Sequence, residues 1–173
     1  MKKLLCFLLF LGLQTSLTQA NAIKVKPFVV NSLSEIKKNY WGQPFVLMFW
    51  SKTCLYCMKE LGLFGKLQKQ FPNISVVTVS TDVYLDEKTI NDILTGKDLV
   101  LKTAWVFATE YPEQLYAAVD KRWRGELPVT YFYDRQHQPI RHMGIVKEAA
   151  LIAWMKQQTL TAMESEAKAV SPR

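Results

Sequence analysis

Apolar positions along the chain switch between two rhythms. "FVLMFW" (45–50) and "ISVVTVS" (74–80) are continuous apolar runs of strand length, as expected of central strands covered on both faces. "KVKPFVV" (24–30) predicts a short strand, and Pro27 assigns it to a sheet edge. "TAWVFA" (103–108) predicts another. "VTYFYD" (129–134) and "PIRHMG" (139–144) predict two more, joined by "RQHQ". Between these runs the spacing becomes helical. Cys57, Leu61, Phe64, Leu67 and Phe71 recur at intervals of three and four, predicting a helix from Cys54 to about Gln70. Gly62 and Gly65 weaken it by up to about 1 kcal/mol each against Ala and mark a bend or a close packing contact.

The remaining helices carry start signals. "SLSE" (32–35) reads as a capping box, with Ser32 capping and Glu35 reaching back, before a short helix to about Tyr40 that "WGQP" ends. Thr81 and Asp82 lead into a helix near Glu87–Leu94, and Pro112 opens one over 112–123. "EAALIAWMKQQ" (148–158) closes the domain as an amphipathic helix, and residues 159–173 read as a flexible, frayed tail. The order β-α-β-α-β-α-β-α-β-β-α predicts an α/β domain over residues 21–158, with no repeats.

The first twenty residues stand apart. Lys2 and Lys3 precede an apolar stretch (Leu4–Leu13) and a polar end with small residues, the pattern of a secretory signal peptide cut before Asn21 or Ile23. The apolar run is short for a membrane span, which needs about 20 residues. Cys6 would leave with it, so the mature chain carries only Cys54 and Cys57 in an oxidising compartment such as a periplasm. Composition fits a soluble mature form: 49% of residues are apolar and 12% aromatic, enough for a sizeable core. The net charge of +7 comes from Lys and Arg spread along the chain, with no basic cluster interleaved with aromatics, which argues against nucleic-acid binding. No apolar interface patch stands out, so a monomer is expected.

The two cysteines, three apart in "FWSKTCLYCMKE" (49–60), admit three readings. Structural zinc takes about four ligands, usually as two paired motifs, and this chain has one CxxC, with His137 and His142 far along the sequence. A structural disulfide across three residues closes too small a loop to constrain the unfolded chain much. A redox dithiol fits best. A helix starting at Cys54 sets its sulfur beside free N–H groups and the positive end of the dipole, favouring thiolate. Cys57 lies one turn on, within disulfide reach. Lys52 and Lys59 add positive charge nearby.

With "FWSKTCLYCMKE" and "GELPVTYFYD" in that order, and "RHMG" after them, the chain resembles the exported TlpA/ResA-like thiol–disulfide oxidoreductases over residues 28 to 158. The resemblance implies a thioredoxin fold: a central mixed β-sheet flanked by helices, here with an N-terminal strand and helix added. It implies that Cys54 attacks, that Cys57 resolves, and that Pro128 follows a cis peptide bond turning the Leu127 backbone toward the cysteines. Trp50 matches the family's aromatic beneath the site. Glu60 matches its acid, one turn past Cys57, where it can exchange the proton that Cys57 must lose. Trp50, Leu55, Tyr56 and Leu127 are expected at the substrate. No cofactor or metal is implied. Protein thiols and disulfides are the expected partners, with a membrane dithiol as a candidate electron donor.

Several positions depart from that pattern. Met48 stands where cytosolic thioredoxins carry an acid, Thr53 precedes Cys54 in place of a frequent tryptophan, Leu55-Tyr56 lacks the frequent proline, and Gly62 replaces another. These changes leave the direction of electron flow open. A reductive role, as in cytochrome c maturation, is favoured over a Dsb-like oxidase or isomerase. A copper- or haem-handling chaperone using Met58, His142 or Met143 is the non-enzymatic alternative.

Overall fold

The computed structural model describes residues 22–170, with side chains over 22–164. The signal segment expected over residues 1–20, Cys6 included, lies outside the described residues. Six strands and five helices follow the predicted order: β1 (Lys24–Phe28), α1 (Ser32–Asn39), β2 (Phe45–Trp50), α2 (Leu55–Gln68), β3 (Ser75–Ser80), α3 (Glu87–Thr95), β4 (Thr103–Phe107), α4 (Pro112–Val119), β5 (Val129–Tyr133), β6 (Pro139–Met143) and α5 (Glu148–Val170).

The strands form one mixed sheet in the order β1-β4-β3-β2-β5-β6. β1, β4, β3 and β2 run parallel, and β5 is antiparallel to both β2 and β6. Every residue of β2 is buried, which is why its sequence shows no polar alternation. Its side chains still alternate between two cores. Val46, Met48 and Trp50 join a cluster with Leu61 and Phe64 of α2, Ile90 and Leu94 of α3, and Leu151 and Met155 of α5. Phe45, Leu47 and Phe49 face the other way, with Ile36 of α1 and Leu115 of α4. The parallel strands bring their C-terminal ends, and the loops that follow them, to one edge of the sheet. β1 is a border strand that contains Pro27, as its sequence predicts.

Three details differ from the sequence reading. The capping box is absent: Asn31 is the N-cap and makes no side-chain cap bond. Ser32 is buried, and its hydroxyl accepts from the Val29 N–H at 2.9 Å, while Glu35 pairs with Lys26 at 2.9 Å. The tight β1–α1 turn draws that hydroxyl inward before it can cap. α4 stops at Val119, because Asp120 turns to accept from the Arg122 backbone N–H at 2.9 Å. α5 continues past Gln158 to Val170, since "LTAMESEAKAV" (160–170) is rich in strong helix formers.

Candidate active site

The C-terminal end of β2 delivers the chain into the loop Ser51–Thr53, and Cys54 caps α2. Cys54 has extended backbone angles (φ −84°, ψ 98°), and its sulfur accepts from the Cys57 backbone N–H at 3.1 Å. The sulfur thus occupies the place of a capping oxygen at the positive end of a helix. Cys54 and Cys57 are joined in a disulfide with their Cα atoms 5.2 Å apart. Cys54 is half-buried and Cys57 fully buried, so an incoming sulfur meets Cys54 first. Leu55 and Tyr56 project outward between them, and Lys59 lies 5.6 Å from the Tyr56 ring centre.

The approach loop is pinned by Asp82, which follows β3. Its carboxylate accepts from the Ser51 hydroxyl at 2.8 Å, the Lys52 backbone N–H at 2.7 Å and the Ser80 hydroxyl at 3.2 Å. The Ser51 hydroxyl also lies 3.0 Å from that of Thr53, and the Cys54 N–H donates to the Ser51 carbonyl at 3.1 Å. This clasp escapes sequence reasoning, which takes Asp82 only as the start of a connection. The available signal is a short polar side chain at a parallel strand's end beside the CxxC strand.

On the other side, the Phe49–Val129 pair of the β2–β5 ladder sets Pro128 at the level of Trp50. The Leu127–Pro128 peptide bond is cis. Pro128 is buried, and its carbonyl accepts from the Gly144 N–H at 2.9 Å. Gly125 has φ +94°, and a Cβ there would stand 2.8 Å from the Tyr116 ring, so only glycine fits. Trp123 braces this loop from beneath, its indole N–H donating to the Glu126 carbonyl at 3.0 Å. Leu127 is half-buried against both cores.

Trp50 is corrected by the structure: fully buried among core residues, it supports the site from below and offers no surface to a substrate. Its alternation on β2 aims it beneath α2. Glu60 is no solvated surface acid either, being 1% exposed. It accepts from the Thr130 hydroxyl at 2.6 Å, and Thr130 pairs across the sheet with Met48. A carboxyl from α2 therefore enters the same buried neighbourhood as Met48. Burial pushes Glu60 above the usual carboxylate range, while the bonds from Thr130 and the Val146 backbone N–H, and the charge of His142, act in the opposite direction. Of the candidate metal ligands outside the dithiol, Met58 lies on α2 and His142 and Met143 on β6, where the His142 ring nitrogen lies 3.2 Å from the Ile145 carbonyl. Among the described residues, no group of three His, Cys, Asp or Glu side chains is placed to hold a metal ion.

The family model described as AhpC/TSA matches residues 19–163. The chain belongs to the AhpC/TSA family. This AhpC/TSA member has a thioredoxin-like fold and a disulfide-bonded Cys54–Cys57 pair. Its fold is similar to that of a secreted Mycobacterium tuberculosis disulfide oxidoreductase homologous to E. coli DsbE, at 17% identity and a TM-score of 0.56, covering 69% of this chain and 85% of that one. A thioredoxin family thiol:disulfide interchange protein from Chlorobium tepidum matches at 14% identity and a TM-score of 0.56, over 70% of this chain and 83% of that one. A secreted thiol-disulfide isomerase from Corynebacterium glutamicum matches at 16% identity and a TM-score of 0.56, over 68% and 71% respectively. Among curated proteins, none matches. Among the described residues, no helix is long and apolar enough to cross a membrane.

Proposed function

We propose that the chain is an exported reductant of protein disulfides that works through Cys54, Cys57 and Glu60. The observation that carries this reading is the unequal burial of the bridged pair: one sulfur within reach at a helix cap, its partner sealed one turn below. In the reduced protein, the Cys54 thiolate attacks one sulfur of a substrate disulfide. An S–S bond forms to Cys54, and the substrate's other sulfur leaves as a thiolate that takes a proton from solvent. Cys57 then gives its proton to the Glu60 carboxylate and attacks the Cys54 sulfur. The second substrate sulfur leaves, and the protein holds the Cys54–Cys57 disulfide. Two electrons pass to the substrate, and no cofactor is needed. Pro128 and Leu127 shape the wall opposite Cys54, and Leu55 and Tyr56 touch the substrate.

The signal-like residues 1–20 and the secreted proteins of similar fold support export, and the reading places the mature chain in the periplasm as a soluble monomer. The TlpA/ResA-like motifs support a reductive role, with cytochrome c maturation as one setting and a membrane dithiol as donor. Cys54→Ser should abolish exchange with a model protein disulfide, and Cys57→Ser should accumulate a covalent adduct visible by mass spectrometry. Normal turnover in both variants would overturn the mechanism. The Dsb-like alternative is favoured by the isomerase of similar fold. A redox titration separates the two, since reductants of this chemistry lie near about −270 mV and strong oxidants near about −120 mV.

A further inference from the structure

Cations that lie scattered along the sequence gather in the fold at the end of the sheet opposite Cys54. β1, β2, β3 and β4 begin at that end, and α1, α2 and α3 run back to it. The connections there (40–44, 69–74, 96–102 and 134–138) and the last turn of α1 carry six cations, Lys37, Lys38, Lys69, Lys97, Lys102 and Arg135, against two acids, Asp98 and Asp134. β1 opens there with Lys24. The connections that reach the Cys54 end (29–31, 51–54, 81–86, 108–111, 120–128 and 144–147) carry five charges of each sign.

The basic segments touch one another. The Lys24 N–H donates to the Lys102 carbonyl at 3.1 Å, and the Gln68 side chain clasps both backbone groups of Val100, at 2.9 and 3.0 Å. Tyr40, Pro72, Val100 and Lys102 share one depression of about 360 Å³, and Lys37, Lys38 and Trp41 line another of about 310 Å³. Arg135 reaches the Gly42 carbonyl at 3.5 Å, and the His137 ring nitrogen lies 2.8 Å from the Tyr40 carbonyl. Among the described residues, Trp41 and Val100 are the most exposed of the large apolar side chains, at 77% and 78%, and both belong to this end.

We infer that this end is a foot that docks the domain on an anionic phospholipid bilayer, with Trp41 and Val100 in the headgroup layer and Cys54 turned away from the lipid. The cations come from separate segments spread across the end of the sheet, which matches a plane of negative charge. Each Lys or Arg near such a surface gains about 1 kcal/mol, and an indole among them suits an interface that is wet on one side and apolar on the other. Residues 1–21 join the domain at this same end, so on the export reading the chain leaves the membrane foot first. β2 has six residues, and at about 3.3 Å each it holds Cys54 about 20 Å above the foot. A membrane donor must therefore present its dithiol at that height on the aqueous side.

The test mixes the purified chain with vesicles of phosphatidylcholine alone, with vesicles that also contain phosphatidylglycerol, and with polyglutamate. Affinity for the phosphatidylglycerol vesicles should exceed that for phosphatidylcholine by about tenfold and should fall as salt is added. Lys38→Glu with Lys102→Glu should weaken it by about tenfold, whereas the same charge change at the other end, Lys121→Glu with Lys147→Glu, should cost at most about twofold. Tryptophan emission should shift to the blue on the anionic vesicles, and Trp41→Phe should remove the shift. N-ethylmaleimide should label reduced Cys54 equally fast with and without vesicles. Equal binding to both kinds of vesicle, or equal losses in the two double variants, would overturn the foot. So would binding that both variants keep in full, which residues 1–21 would then carry, or binding to polyglutamate alone, which would make an acidic protein the occupant. Shielding of Cys54 by the vesicles would overturn the orientation. None of these readouts needs disulfide exchange, so the foot and the redox reading fail separately.

Discussion

Glu60 is the residue on which the chemistry and the stability of this protein meet. Its carboxyl is buried and raised above its ordinary value of 4.5 by that burial. Between the ordinary glutamate value and the higher folded one, the folded protein therefore keeps a proton that the unfolded chain has released. Stability from this group is fully present below the ordinary glutamate value and is lost as pH rises through the higher folded value. Glu60→Gln copies the protonated form, so urea midpoints taken across that window should fall less with pH in the variant than in the wild type. In the proposed mechanism the same change removes the acceptor for the Cys57 proton. The resolving step should slow by about 100-fold, with the mixed disulfide accumulating in rapid-quench samples. Cys54, Cys57 and Pro128 were legible in the sequence because short motifs hold them. Asp82 was not, because its partners Ser51 and Lys52 lie some thirty positions away and meet it only when β2 and β3 pair.

Among the elements, α2 shows how two similar glycines serve different ends. A Cβ at Gly65 would lie 1.9 Å from the Lys97 carbonyl oxygen, a backbone atom that cannot give way cheaply. At Gly62 it would meet only the Lys97 side chain at 3.9 Å. Gly65→Ala should destabilise by about 1–3 kcal/mol, and Gly62→Ala should stabilise by up to about 1 kcal/mol, both read by chemical denaturation. Sequence showed that these glycines weaken a helix, but not which one faces the α3–β4 turn. Asp82→Ala takes the acceptor from the buried Ser51 and Ser80 hydroxyls and from the Lys52 N–H, and frees the loop before Cys54. A loss of about 2 kcal/mol is expected, with slower exchange in an insulin-reduction assay. α5 was read short for a related reason. Past Gln158 the described side chains are half-buried or exposed, so the apolar stripe that marks a packed helix fades while the backbone remains helical.

At the scale of the whole molecule, the order of elements and the buried strands were legible because β2 and β3 carry continuous apolar runs. The position of β1 beyond β4 was not, since pairing partners far apart in sequence leave no periodic trace. The redox couple is linked to global stability, and 30 mV corresponds to about 1.4 kcal/mol for a two-electron exchange. A reductive protein should therefore unfold at higher denaturant when oxidised than when reduced, whereas a strong oxidant would show the reverse.

Pro27 sits in the outermost strand and has no amide hydrogen to offer. A second sheet approaching along that border would find a missing rung in the ladder it needs. The flank of the sheet thus resists being extended by the exposed strand of another chain, so the molecule carries its own guard against edge-to-edge aggregation.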